Sequence, residues 1–395
     1  MPGWGYVTHT LALTWQLTEM HGWGLVGVHT ALLCAERNVP LLLLEEPKLD
    51  TLRPENRTKL APFVEGYRRV TAIAAERGQQ MLHLGGCTML HALGSRFEVG
   101  APSLRFRGDR NIGVIAFEDT LFDKPLRARA EQYERIIVHS TYNRDLLIEA
   151  GFGNIDCVLQ GVDPDELPIL PARGAFGDRF VIFSGGKLEF RKGQDLVIAA
   201  FRIFHARHPD SVLVTAWHNP WPQLAGSIAE SRLTPTPAEI DPATGRLKIT
   251  DWAIGHGAPA DGFIDLGFLL RGQIAPLLAE CHAAIFPNRC EGATNLVGME
   301  AMACGVPSIL SDNTGHRDLI RSGVALPVTR QYPVDDPDGR RRGWGESSVE
   351  EMVAHLETLY ADRTAARRMG QAGRAFILGE RTWRGFAANF LQAVG

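Results

Sequence analysis

Short apolar runs alternate along this chain with segments whose apolar residues recur every three or four positions, the trace that strands and crossover helices leave in a sequence. Residues 11–18 read as a strand, a glycine turn occupies 22–27, and 25–37 carry helical spacing. A second buried strand at 39–44 closes a βαβ unit. Further strand-like runs fall at 81–84, 112–117 and 135–138, with helix-like stretches around 65–77 and 141–150. Between 161 and 178, Pro164, Pro168, Pro171, Gly174 and Gly177 break any periodicity, which predicts a connector between domains.

The pattern then restarts. Strands are expected at 180–184, 211–217, 263–267, 283–286 and 307–311, and a helix at 194–205 carries Leu196, Val197, Ala200, Phe201 and Phe204 on one face. Residues 219–261 are rich in Pro, Gly and polar side chains and read as an insertion without predicted structure. Trp383, Phe386, Phe390, Leu391 and Val394 form the stripe of an amphipathic helix, which needs a partner surface.

Composition narrows the classes. At 395 residues the chain has room for two or three domains, and 45% apolar with 22% charged residues is ordinary globular usage, so disordered and collagen-like structure are excluded. A formal charge of −4 lacks the basic excess of a general nucleic-acid binder. The six cysteines (Cys34, Cys87, Cys157, Cys281, Cys290, Cys304) include no C-x-x-C pair, so neither a zinc ribbon nor a disulfide framework is read and a reducing compartment fits. Residues 1–16 lack the basic and apolar regions of a leader, and no run of about 18 uncharged apolar residues occurs, so a soluble cytoplasmic protein is expected.

Three segments carry candidate chemistry. Gly22-Trp23-Gly24-Leu25-Val26-Gly27 is a literal G-x-G-x-x-G between strand and helix, with Glu45 about 20 residues on. It fits a dinucleotide site, a glycine loop for another phosphate or sugar, or a plain structural turn, and bulky Trp23 sits awkwardly for the first. The run Ser184-Gly185-Gly186-Lys187-Leu188-Glu189-Phe190-Arg191-Lys192-Gly193 leaves a strand end, where open α/β sheets bind ligands, and its three cations suit phosphates. In the third, a short helix from about Asn295 is stopped by Gly305 and Pro307, with Thr294 or Asn295 as its cap. Its free amides suit an anion, Glu300 a ribose diol and Glu291 a sugar hydroxyl. The two carboxylates also match a glycosidase pair, a weaker alternative beside a phosphate site.

On these motifs the chain resembles the retaining nucleotide-sugar glycosyltransferases of family 4, from Thr14 to the last helix and most specifically in its second half. The resemblance implies the GT-B architecture: two doubly wound Rossmann-like α/β domains facing across a cleft, with the C-terminal helix crossing back to the first. The expected boundaries are 1–165, 178–378 and 379–395. Lys187 and Lys192 match the basic pair that grips the donor diphosphate, with Arg191 beside them. Glu291 and Glu300 match the two-glutamate motif, the first meeting the donor sugar and the second the ribose. The implied donor-binding set is Gly22, Gly24, Gly27, Gly186, Lys187, Arg191, Lys192, Glu291, Thr294, Asn295 and Glu300.

Two departures stand out. Eight residues rather than seven separate Glu291 and Glu300, with Thr294-Asn295 in place of the usual Phe-Gly-Leu-Pro. Where many members carry a histidine in the first domain, this chain has Glu118 and Asp119. Similar enzymes react by front-face attack assisted by the leaving diphosphate, so the implied catalytic residues are Glu118, Asp119 and Glu291. The implied co-substrate is a UDP- or GDP-linked sugar, with no metal or cofactor. The acceptor is a carbohydrate, a lipid-linked molecule, a peptide or a small molecule, and peripheral membrane contact stays open.

Rivals are an NAD(P)-dependent oxidoreductase using the Gly22 run, a sugar-nucleotide epimerase or phosphorylase of the same fold, and a catalytically silent binder. His91, His139, Trp217, His218 and Trp221 read more readily as packing than as site residues, whereas His316 and Asp318 sit in a loop that nears the donor in similar proteins. Asp163-Pro-Asp165 and Asp336-Pro-Asp338 match D-x-D but lie in proline turns, and are not read as metal sites.

Overall fold

A computed structural model describes residues 10–395, so the first nine residues of the segment read as lacking a leader lie outside the described residues. The chain divides into two compact units, one running up to Gly161 and resuming at Trp383–Gly395, the other spanning Val162–Thr382.

The first unit alternates strand and helix as β1 (Thr10–Leu13), α1 (Gly22–Arg37), β2 (Leu41–Leu43), α2 (Pro54–Glu76), β3 (Leu82–Leu93), α3 (Ala101–Arg105), β4 (Phe106–Ile115), α4 (Lys124–Ala130), β5 (Arg135–Val138), α5 (Thr141–Glu149) and β6 (Ile155–Cys157). The strands form one sheet in the order β2-β1-β3-β4-β5-β6, parallel throughout. Crossovers of this kind put helices on both faces, so the strand interiors read as unbroken apolar runs. β3 and β4 outrun the expected 81–84 and 112–117, β4 at its start. Gly85-Gly86 looks like a stop after Leu84, yet β3 continues to Leu93 because its pairing with β4 shifts register between Leu84 and Thr88.

The second unit contains β7 (Phe180–Gly185), α6 (Gln194–Arg207), β8 (Ser211–Ala216), α7 (Ile249–Gly255), β9 (Phe263–Asp265), α8 (Arg271–Leu278), β10 (Ala283–Phe286), α9 (Leu296–Ala303), β11 (Ser308–Ser311), β12 (Leu326–Val328), the hairpin β13 (Gln331–Tyr332) and β14 (Glu346–Ser347), α10 (Val349–Ala361) and α11 (Arg363–Glu380). Its parallel sheet runs β9-β8-β7-β10-β11-β12. Alternation along β7 and β10 serves two cores: Phe180, Ile182 and Ile285 face one, Val181, Phe183 and Phe286 the other.

Two expectations are corrected. The connector is part of the second unit: Leu167 is buried in its core, and the amides of Arg173, Gly174 and Ala175 donate to the Glu280 carboxylate. The insertion at 219–261 is structured, with a 3-10 stretch at Pro222–Glu230 and α7 setting Ile228 and Trp252 against Trp217. Near the hairpin, Arg341 pairs with Glu230 and lies over the Phe190 and Trp344 rings.

The last helix, α12 (Trp383–Val394), belongs to the first unit. Its apolar stripe packs on α1, where Trp383 stacks on His29 with centroids 4.9 Å apart and Arg384 pairs with Glu36 at 2.6 Å. Arg110 and Arg135 donate to the carbonyls of Val394 and Ala393 at 3.0 and 2.8 Å, cations at a helix C-terminus as the dipole favours.

Candidate functional site

The strand order of the second unit reverses between β7 and β10, and in open α/β sheets ligands bind beyond the strand ends at such a point. Both basic and acidic candidates sit there. Gly186 follows β7 with φ +120°, a conformation that glycine tolerates and side chains rarely adopt. Gly185 touches the first turn of α9, since a Cβ there would lie 2.7 Å from Val297 Cγ1. Gly193, at φ +71°, lets the turn at Phe190–Lys192 approach the Pro287 carbonyl, which a Cβ would meet at 2.3 Å.

The three expected cations do converge, but each already has a carboxylate. Lys187 Nζ is 3.1 Å from Glu189 Oε1 and 5.3 Å from the Trp221 ring centroid. Arg191 bridges Glu189 at 2.7 Å and Glu291 at 3.4 Å, and Lys192 Nζ contacts Glu291 Oε1. Asn288 Nδ2 donates to that same Glu291 oxygen. Three cations against two carboxylates leave one positive charge. Burial opposes ionisation of Glu291, but Lys192 and Arg191 outweigh it and hold its carboxyl at about 2. Burial also lowers Lys192 below the usual lysine range, with Glu291 opposing.

The loop carrying Glu291 is fixed from three sides. The Glu291 amide donates to Thr314 Oγ1 at 2.9 Å, and its carbonyl accepts from the Gly315 amide at 3.0 Å. Arg289 is 1% exposed, forms two hydrogen bonds with Asp195 at 2.8 and 2.6 Å, and reaches Glu346 at 2.8 Å. Its amide donates to the Arg191 carbonyl at 2.7 Å, tying the glutamate loop to the cation turn. Asn295 caps α9, accepting from the Gly298 amide at 3.2 Å, and also meets His316 Nε2 at 3.1 Å. His316 is fully buried, its other nitrogen bonds Ser311 Oγ at 2.8 Å, and burial keeps it neutral down to about 4. Thr294 is buried beside the cap. The Asp318 carbonyl accepts from Arg381. Glu300 lies one turn further along α9 and contacts Arg271, which also binds Glu166.

Glu189, Asn288, Arg271, Arg289 and Glu166 escaped the sequence reading. Glu189 was within the cation run itself, in view as a counter-charge. The others are joined to their partners only by folding, Arg271 to Glu166 across 105 positions.

In the first unit the glycine run is corrected. Residues 22–27 are the opening turns of α1, whose amide at Gly24 donates to the Nδ1 of the capping His21 at 3.1 Å. A Cβ at Gly24 would lie 2.1 Å from the Thr18 carbonyl oxygen, and one at Gly27 would lie 2.6 Å from Leu17 Cδ2. Gly24 and Gly27 therefore let α1 pack on residues 15–18, and Gly22 is the first residue of the helix, where a turn was expected. Glu118 is half-buried and accepts from Ser95 Oγ at 3.3 Å, while Asp119 pairs with Arg96 and accepts from the Leu121 amide. His91 is a satisfied core histidine between Ser103 and Asn111. His139 Nδ1 donates to the Val158 carbonyl at 3.0 Å, and the ring packs against Trp23 and Phe386. The two D-x-D aspartates serve as turn caps, Asp163 accepting from the Asp165 amide and Asp336 from Arg340 and Arg341.

The profile of a family described as "Family 4 Glycosyltransferase in conflict systems" matches residues 271–390. The uncharacterized glycosyltransferase YqgM of Bacillus subtilis (strain 168) is 26% identical over 266 residues, 67% of this chain and 62% of that protein. A GDP-mannose-dependent alpha-(1-6)-phosphatidylinositol monomannoside mannosyltransferase of Mycolicibacterium smegmatis is 27% identical over 237 residues, 58% of this chain and 51% of that one. The chain thus spans between half and two thirds of the length of these relatives. Among solved structures, sucrose-phosphate synthase of Thermosynechococcus elongatus has TM-score 0.64 at 16% identity, covering 97% of this chain and 98% of its own. Anabaena HepE in complex with UDP and glucose has TM-score 0.65 at 14% identity, covering 98% and 99%.

Two parallel doubly wound units of this order are the GT-B fold of nucleotide-sugar glycosyltransferases. Within that fold, the profile match over residues 271–390 and the sequence relatives make the chain similar to the family 4, group 1 glycosyltransferases.

Proposed function

We propose that the chain moves a hexosyl group from a nucleoside-diphosphate sugar, UDP- or GDP-linked, to an acceptor hydroxyl with retention of anomeric configuration. The observation that carries this reading is the pair Arg191 and Lys192, gathered on Glu291 where the second sheet reverses its strand order. In the free protein Glu291 supplies the counter-charge. The donor diphosphate takes over both cations, and the released carboxylate accepts from a hydroxyl of the donor sugar. Arg191, Lys192 and the α9 amides then stabilise charge on the leaving β-phosphate, preorganised donors of the kind that dominate many catalytic rate enhancements. Lys187 is a third phosphate contact, and Gly186 leaves the backbone room for it. Thr294 and Asn295 hold the amides in place, and Glu300 accepts from the ribose.

Glu118 positions the acceptor hydroxyl and takes its proton. Asp119 is the poorer candidate, because its carboxylate is engaged by Arg96 and by the Leu121 amide. The relatives' names and complexes mention both GDP-mannose and UDP, so both bases belong in the first screen. The oxidoreductase alternative loses its support with the glycine run, which is filled by Thr18 and Leu17. No helix among the described residues is long and apolar enough to cross a membrane. We place the reaction in the cytoplasm, where six free cysteines stay reduced.

The test is a radiolabelled screen of UDP-glucose, UDP-N-acetylglucosamine and GDP-mannose against mixed sugar, lipid-linked, peptide and small-molecule acceptors. Label appearing on an acceptor, with the α-anomer seen by NMR, supports the reading. An epimerised nucleotide sugar with no transfer to any acceptor or water would overturn it.

A further inference from the structure

Outside the phosphate cluster, one buried charged group lies in the second unit without an assigned task. Arg271 opens α8 just beyond β9, its side chain 16% exposed, between the carboxylates of Glu166 and Glu300, which are 6% and 7% exposed. Its Nη1 meets Glu300 Oε1, while Nε reaches Glu166 Oε2 at 2.8 Å and Nη2 contacts that same oxygen. One guanidinium thus serves two buried carboxylates. Among the described residues Glu300 Oε2 accepts no hydrogen bond from the protein.

Buried charge without enough donors is unstable, and the fitting complement is a group with neutral O–H donors. A vicinal diol supplies two. We infer that Arg271 is a positioning residue that presents Glu300 to the ribose of the donor, so that recognition of the 2′-hydroxyl depends on a side chain that need not touch the nucleotide. This rests on the proposed donor site. The fork of Arg271 fixes one oxygen of Glu300 and turns the other outward. Without it, Glu166 and Glu300 are two neighbouring carboxylates with no cation between them, and Glu300 loses its orientation.

The experiment titrates wild type, Arg271→Gln, Arg271→Lys and Glu300→Gln with UDP, 2′-deoxy-UDP, GDP and 2′-deoxy-GDP by calorimetry. Wild type should prefer the ribonucleotide of its own base by about tenfold, the range for a charge-assisted hydrogen bond. In Glu300→Gln and Arg271→Gln that preference should fall to about twofold or less, and Arg271→Lys, which keeps the charge but not the fork, should fall between. If Arg271→Gln is too unstable to titrate, Arg271→Lys decides, and a full wild-type preference in it overturns the inference. Loss of preference in Glu300→Gln with its retention in both Arg271 variants defeats the positioning role alone. Retention in Glu300→Gln, or no binding of any of the four probes to wild type, defeats the donor-site reading beneath it.

Discussion

Replacing Lys192 by Met removes the cation that the Glu291 carboxylate touches, in a place where the lysine side chain is 12% and the glutamate 5% exposed. A unit charge about 4 Å away contributes roughly 4 kcal/mol at an effective dielectric near 20. Part of that is offset because the buried ammonium no longer has to be desolvated, and Arg191 at 3.4 Å and Asn288 still hold the carboxylate. The net loss is then about 3 kcal/mol, the low end for breaking a buried pair. For a unit of this size that corresponds to a fall of about 6–12 °C in melting temperature. The missing contact to phosphate should weaken nucleoside-diphosphate binding by about 10- to 150-fold. With one cation gone, burial pushes the Glu291 carboxyl up from about 2 toward its ordinary 4.5, so the stability lost as pH falls from 4.5 toward 2 should be smaller than in wild type. Calorimetric melting at neutral pH and titration with UDP and GDP read both effects. A variant that melts like wild type and binds within twofold would refute the reasoning.

Gly24→Ala places a methyl on the Thr18 carbonyl, a backbone atom that cannot step aside, so α1 must shift. We expect a loss of about 1–3 kcal/mol in urea unfolding with nucleotide affinity unchanged; a nucleotide defect without a stability defect would restore the phosphate-loop reading. His139 and His316 are both held neutral by burial down to about 4, below their ordinary 6.5. Their depressed values mean that the unfolded chain binds protons first, so their contribution is intact above pH 6.5 and is lost as pH falls toward 4, by about 3 kcal/mol each. Urea unfolding across pH 4–7 should show that decline, shallower in His139→Gln, and a flat profile would contradict it.

The short helix α9 and its cap were legible because everything that defines them is local: Asn295 before an apolar run, Gly305 and Pro307 after it. The cation run was legible as composition but not as electrostatics. Nothing in the spacing says that Arg191 and Lys192 spend the free state on Glu291, because that pairing joins positions about 100 apart. Arg289 and Arg271 were invisible for the same reason, each acquiring its role only when distant strands deliver their ends to one place. The Gly22 run is ambiguous in a more instructive way. A glycine that lets a phosphate approach and one that lets a helix pack on a neighbouring strand exit look alike in sequence, and only what stands opposite, here Leu17 and Thr18, separates them. The doubly wound architecture itself needed little inference, since two-sided burial leaves apolar runs too plain to miss, though Gly85-Gly86 concealed how far β3 continues.

The central claim is that the second unit grips a nucleoside diphosphate through Arg191 and Lys192. Its most direct measurement is a calorimetric titration of the wild-type protein with UDP, GDP, ADP, NAD and NADP, repeated with Lys192→Met and Gly24→Ala. The account predicts that one nucleoside diphosphate binds, that Lys192→Met abolishes or sharply weakens it, and that Gly24→Ala does not. Binding of NAD or NADP alone, lost in Gly24→Ala and untouched in Lys192→Met, would contradict it.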